Sequence, residues 1–151
     1  MRNFLIFVVV AVIAVWYFRK GAHEAATVRP SGDANAGSRG AGCLSAAEGA
    51  NRSLSEATRI LLSMPVDASK WSEAESGVSS AIASAESACS GGETEAERAG
   101  MESARDALAL MRTTLQEGSK AALGAGGFQG AMRQEAIDNR LASARGKLGL
   151  R

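Results

Sequence analysis

Two apolar seams lie in register on either side of Pro65, and no other feature of the sequence constrains the fold as tightly. Cys43, Ala47, Ala50, Leu54, Ala57, Leu61 and Met64 step alternately by four and three residues, the spacing of a helix that buries a narrow stripe against a partner helix. Beyond Pro65, which ends the first segment, Trp71, Ala74, Val78, Ile82, Ala85 and Cys89 continue the same period. If the chain folds back at Pro65-Val66, the facing pairs are Leu61 with Trp71, Leu54 with Val78, Ala50 with Ile82, Ala47 with Ala85, and Cys43 with Cys89. Their residue numbers add to the same total in every pair, as an antiparallel hairpin demands.

The last of these pairs joins the only two cysteines in the chain. A disulfide needs Cα atoms about 4.4 to 6.8 Å apart, closer than ordinary helix axes, and an alanine-rich seam permits that approach. A bridge between Cys43 and Cys89 closes a loop of roughly 47 residues and contributes about 4 kcal/mol in the chain-entropy picture. The competing reading, two buried thiols acting as small apolar residues, leaves their facing positions to coincidence. A structural disulfide in turn points to an oxidising compartment.

Punctuation around the seams sets the remaining elements. Asp67 is placed to cap the second helix, with Val66 and Trp71 as a hydrophobic staple, and Ser90-Gly91-Gly92 stops it. Thr94 and Glu97 form a capping-box pattern ahead of a third seam, Met101, Ala104, Leu108, Met111 and Leu115, which fades through Gly118. After Gly124-Ala125-Gly126-Gly127 a looser face of Phe128, Met132, Ile137, Leu141, Ala144 and Leu148 predicts a fourth helix, packed on the bundle or partly free. Helices are therefore expected at about 43–64, 67–90, 94–122 and 128–148 within a domain of residues 43–150. The chain is rich in alanine and only 5% aromatic, which favours helices over strands.

Ahead of this domain stand two further segments. Phe4 to Phe18 is an unbroken apolar run between Arg2 and Arg19-Lys20. With Trp16, Tyr17, Arg19 and Lys20 at the interface, residues 1–20 read as a single-pass anchor, somewhat short for a hydrocarbon core of ~30 Å. A cleaved signal peptide is the main competitor, but the flank FRKGAHEAA lacks a good cleavage site. A lipoprotein box ending at Cys43 fits less well, because Gly40 stands where leucine is usual and the apolar run is distant. Residues 21–42, with five glycines and a proline, are expected to be a flexible linker. Arg19, Lys20 and Arg29 after the run, against Arg2 before it, place the domain in the cytoplasm by the positive-inside rule. The disulfide places it outside, and the disulfide is the stronger constraint. The expected fold is thus all-α: an N-terminal transmembrane helix, a flexible linker, and an antiparallel helical hairpin extended to a three- or four-helix bundle on the periplasmic side.

Charge is unevenly distributed. Residues 43–97 carry nine acidic and three basic side chains, whereas residues 98–151 carry five acidic and nine basic ones. The simplest reading is that the two halves pack with complementary fields; the other is a basic surface at Arg133, Arg140, Arg145 and Lys147 that meets a partner or anionic lipid. No basic cluster is interleaved with aromatic residues, so no nucleic acid is expected. One histidine, His23 in the linker, and two paired cysteines leave no material for a nucleophilic triad, a zinc centre or haem ligation. Glycines at 124, 126, 127 and 130 lack the Lys and Ser/Thr of a phosphate loop. Glu73 with Glu75, and Glu95 with Glu97, sit two apart on different helix faces and read as solvated surface. No catalytic residue, metal or cofactor is expected, and no small-molecule substrate is evident. The expected role is a non-enzymatic interaction or structural module of a bacterial envelope, binding a protein partner or itself through its helices. The alternatives are a basic C-terminal helix on an anionic membrane and, less well supported, a small enzyme.

Overall fold

The computed structural model describes residues 37–63 and 65–150, with side chains described from Arg39 onward. The expected anchor, with Trp16, Tyr17, Arg19 and Lys20, lies outside the described residues, as do the first part of the linker, Met64 and Arg151. Among the described residues there are four helices and no strands: α1 (Gly37–Leu61), α2 (Ala68–Ala88), α3 (Glu95–Ala122) and α4 (Gly130–Lys147). None of them is long and apolar enough to cross a membrane.

Helix boundaries follow the local chemistry. Asp67 accepts hydrogen bonds from the backbone N–H groups of Ser69 and Lys70, both at 3.1 Å, and so starts α2. At the start of α3 the capping box is complete: Thr94 Oγ1 accepts from the Glu97 N–H while Glu97 Oε2 accepts from the Thr94 N–H. Gly124, at φ +72°, closes α3 in a left-handed turn that lets the Ala125 N–H reach the Lys120 carbonyl at 2.8 Å. α4 has no such start, because Gln129 makes no side-chain capping bond. α1 begins at Gly37 rather than near Cys43, so the end of the segment expected as linker is helical. The cause is tertiary: Gly40 is buried under Leu148, and Arg39 pairs with Glu93 at 3.2 Å.

The helices run up, down, up and down. α1 packs on α2 and α3, α3 also packs on α4, and α1 touches α4, whereas α2 and α4 do not meet. α1 and α3 therefore hold the short diagonal of the bundle, and α3 buries one face from Glu97 to Gly118. All the expected pairs of the first hairpin lie in the core: Leu61, Trp71, Leu54, Val78, Ala50, Ile82, Ala47 and Ala85 are buried, with Ala74 only half-buried. Cys43 and Cys89 are joined in a fully buried disulfide with Cα atoms 4.5 Å apart. The α3 seam, from Met101 to Leu115, is buried as expected.

Two large side chains close the ends of the short diagonal. Trp71 lies over Gly118, where a Cβ would fall 2.5 Å from its Cζ2 atom, and its indole N–H donates to Ser119 Oγ at 3.3 Å. The Gly118 position, where the seam was expected to fade, is thus a buried packing site. At the other end Leu148 fills the space left by Gly40 and Gly100.

α4 departs most from its expected pattern. Ile137, Leu141 and Ala144 are buried, but Met132 is 76% exposed and Phe128 and Leu148 are half-buried. Met132 was expected on the apolar face. Two residues further along, half-buried Gln134 occupies the position that continues the 137, 141, 144, 148 seam.

Candidate functional site

α4 is positioned by two polar stripes that flank its apolar seam. On one side Arg133, Arg140 and Lys147, spaced by seven residues, face α3: Arg133 pairs with Glu117, Arg140 with Asp106 at 3.5 Å, and Lys147 Nζ donates to Ser103 Oγ at 2.8 Å. On the other side Gln134, Asp138 and Arg145 face α1. Arg145 pairs with Glu48, Asn51 Nδ2 donates to Asp138 Oδ1 at 2.8 Å, Gln134 Nε2 donates to Asn51 Oδ1 at 2.9 Å, and Ser55 Oγ donates to Gln134 Oε1 at 3.2 Å. In helical pairs, flanking charges and an inward polar residue set register and orientation more than they add stability.

All four side chains of the expected basic surface thus lie against acceptors of the same bundle. Arg140 and Arg145 remain about half exposed, and Arg133 is 25% exposed. Their reach inward was not visible in the sequence, because the partners lie on α1 and α3 at separations of up to 97 residues. The charge asymmetry of the two halves is partly consumed in the same way, by Arg145 with Glu48 and by a bidentate pair between Arg112 on α3 and Glu86 on α2. Hydrogen bonds from the Arg112 guanidinium, and then its charge, hold the Glu86 carboxyl below the usual glutamate range, and Glu86 holds Arg112 above its own. Asp67 is lowered by the Lys70 backbone N–H first and by the Lys70 side chain second.

Two carboxylates expected on the solvated surface are not there. Glu97 is 6% exposed; its Oε2 is bound in the capping box, and its Oε1 has no hydrogen-bond partner. Glu75 is half-buried and accepts from Ser119 Oγ at 2.6 Å, extending the chain of contacts from Trp71. Both are helix-end or interhelical contacts whose partners the i, i+2 spacing does not reveal. Glu73 and Glu95 are exposed as expected.

Concave surface among the described residues is shallow. One groove runs along α2 and α3, lined by Ser72, Glu75, Ser76, Ser79, Arg112 and Gln116. Others flank the α1–α2 connection and the outer α1–α2 seam. Among the described residues no three of His, Cys, Asp and Glu gather closely enough to hold a metal ion. No protein-family model, curated protein or solved structure matches the chain. Fold and site together define a disulfide-stapled, antiparallel four-helix bundle whose polar chemistry is directed at its own helix contacts.

Proposed function

We propose that the protein is a membrane-tethered helical module on the outer side of a bacterial cytoplasmic membrane, with a structural or binding role and no catalysis of its own. The observation that carries this reading is the buried disulfide at the foot of α1 and α2, which suits an oxidising compartment, downstream of the apolar run Phe4 to Phe18. Lipid binding by the basic residues of α4 draws no support from the geometry, since each of the four has an acceptor within the bundle.

Fractionation tests the reading directly. The full chain is expected to stay with membranes through high-salt and alkaline washing, and a C-terminal reporter active only in the cytoplasm is expected to be silent. A soluble product beginning after the apolar run, or a bright cytoplasmic reporter, would overturn the tether or the orientation respectively.

A further inference from the structure

One end of the bundle is uncharged and apolar in a way that its core does not require. The α1–α2 and α3–α4 connections lie together at this end, because the helices alternate in direction. Neither Ile60–Val66 nor Ala121–Met132 contains a single charged residue, in a chain that is 22% Asp, Glu, Lys and Arg. Connections are ordinarily polar. The α2–α3 connection at the opposite end, Ser90 to Thr94, includes Glu93, which is paired with Arg39.

This same end carries all the strongly exposed large apolar side chains of the described residues: Leu62 at 76%, Leu123 at 80% and Met132 at 76%. Pro65, Ala125 and Ala131 beside them are also exposed. The nearest charges in sequence are Arg59, Asp67, Lys120 and Arg133. Asp67 is bridged to Lys70 and Arg133 to Glu117, which leaves Arg59 and Lys120 as exposed cations with no ion pair among the described residues.

We infer that this tip is a docking surface for an anionic lipid bilayer. Depletion of charge around exposed leucine and methionine is the mark of a surface that is covered in use. The three side chains expose on the order of 400 Å² together, about half of the ~800 Å² that each partner gives to a specific protein interface. A second copy or a rigid protein would need about twice the apolar area that these three side chains expose. A bilayer needs no matched shape: leucine and methionine enter the acyl boundary while Arg59 and Lys120 lie at the head groups, where anionic lipid complements them. The contact is distinct from α4, whose four named cations each have an acceptor within the bundle, and it does not rest on the N-terminal tether.

The test uses the full chain with vesicles of phosphatidylcholine alone or with phosphatidylglycerol as about one third of the lipid. An environment-sensitive fluorophore is attached through Leu123→Cys or, at the opposite end, through Glu95→Cys; the native disulfide is fully buried and not available to the reagent. On phosphatidylglycerol vesicles the tip label is expected to shift to the blue and to be quenched several-fold more by bilayer nitroxides than the Glu95 label. Leu62→Ser with Met132→Ser should abolish that difference, and Arg59→Glu with Lys120→Glu should weaken it; circular dichroism checks that each variant remains folded. A tip label that stays in water on both vesicles, or quenches no more than the Glu95 label, overturns the inference. So does equal response on phosphatidylcholine alone, or a blue shift that needs protein concentration and no vesicles, which would assign the tip to a protein contact. Chain that floats with vesicles through an alkaline wash while its tip stays wet would refute the tip and leave the tether; a buried tip on chain released by that wash would do the reverse.

Discussion

Replacing Gly118 by alanine isolates the packing of Trp71 from helix propensity, because the same substitution elsewhere in the protein should have the opposite sign. In a helix interior alanine is favoured over glycine by about 0.5 to 1 kcal/mol. At Gly49 in α1 and Gly77 in α2 a new Cβ would meet nothing within 4 Å, so Gly49→Ala and Gly77→Ala should be stabilising by about that amount. At Gly118 the Cβ would fall 2.5 Å from Trp71 Cζ2 and 3.2 Å from Leu61 Cδ1. Trp71 is 2% exposed and its indole N–H is held by Ser119, so the ring cannot retreat without moving the α2–α3 contact. Overpacking of this kind costs about 1 to 3 kcal/mol, enough to overcome the propensity gain.

A bundle of this size unfolds with an entropy near 0.24 kcal/mol/K, so each kcal/mol moves Tm by about 4 °C. Gly118→Ala should therefore lower Tm by several degrees while Gly77→Ala raises it by about 2 to 4 °C. Thermal and urea unfolding followed by circular dichroism give both numbers. Trp71→Leu should cost less in the Gly118→Ala background than alone, with a coupling of about 1 kcal/mol or more. If Gly118→Ala stabilises the protein as Gly77→Ala does, Trp71 does not rest on Gly118 and the closure of that end is wrong.

Reduction of the Cys43–Cys89 disulfide should cost about 4 kcal/mol by loop entropy for a sequence separation of 46, or some 15 °C in Tm, less if the reduced chain keeps helix; on denaturing gels the oxidised monomer should run faster than the reduced one, and disulfide-linked dimers would refute the hairpin. Leu54→Asp, at a position with no exposure, should cost several kcal/mol by removing a buried leucine and burying an unpaired carboxylate, whereas Glu56→Asp at an exposed position should be nearly silent in urea unfolding. The Glu86 carboxyl titrates lower in the folded protein than in the unfolded chain, so its contribution to stability is present above the unfolded value and lost as pH falls through the folded one. An NMR titration of Glu86 should accordingly move up toward the ordinary glutamate range in Arg112→Met, and no movement would show that the pair is not formed in solution.

The first hairpin was legible before any coordinates, because a heptad seam that reverses at a proline has one register that aligns its large and small residues. Trp71 with Leu61 and Cys43 with Cys89 follow from that register, and the caps at Asp67 and Thr94 depend on residues no more than three apart. Such features are local or fixed by a short, stiff turn. What the sequence could not determine are the contacts made across the bundle. Gly40 reads as part of the linker until Leu148 is brought between it and Gly100, and this contact also carries α1 back to Gly37. For Arg133, Arg140, Arg145 and Lys147 the sequence leaves open whether they meet the acidic half or form a basic surface, since their spacing says nothing of Glu117, Asp106, Glu48 and Ser103 on two other helices. Met132 leaves its expected place on the apolar face because α4 has no side-chain cap at its start and follows a glycine-rich connection, which leaves its phase to the neighbours it meets. Periodicity records which residues a helix buries; only tertiary packing decides against what, and there long-range polar pairs outweigh a weak apolar pattern.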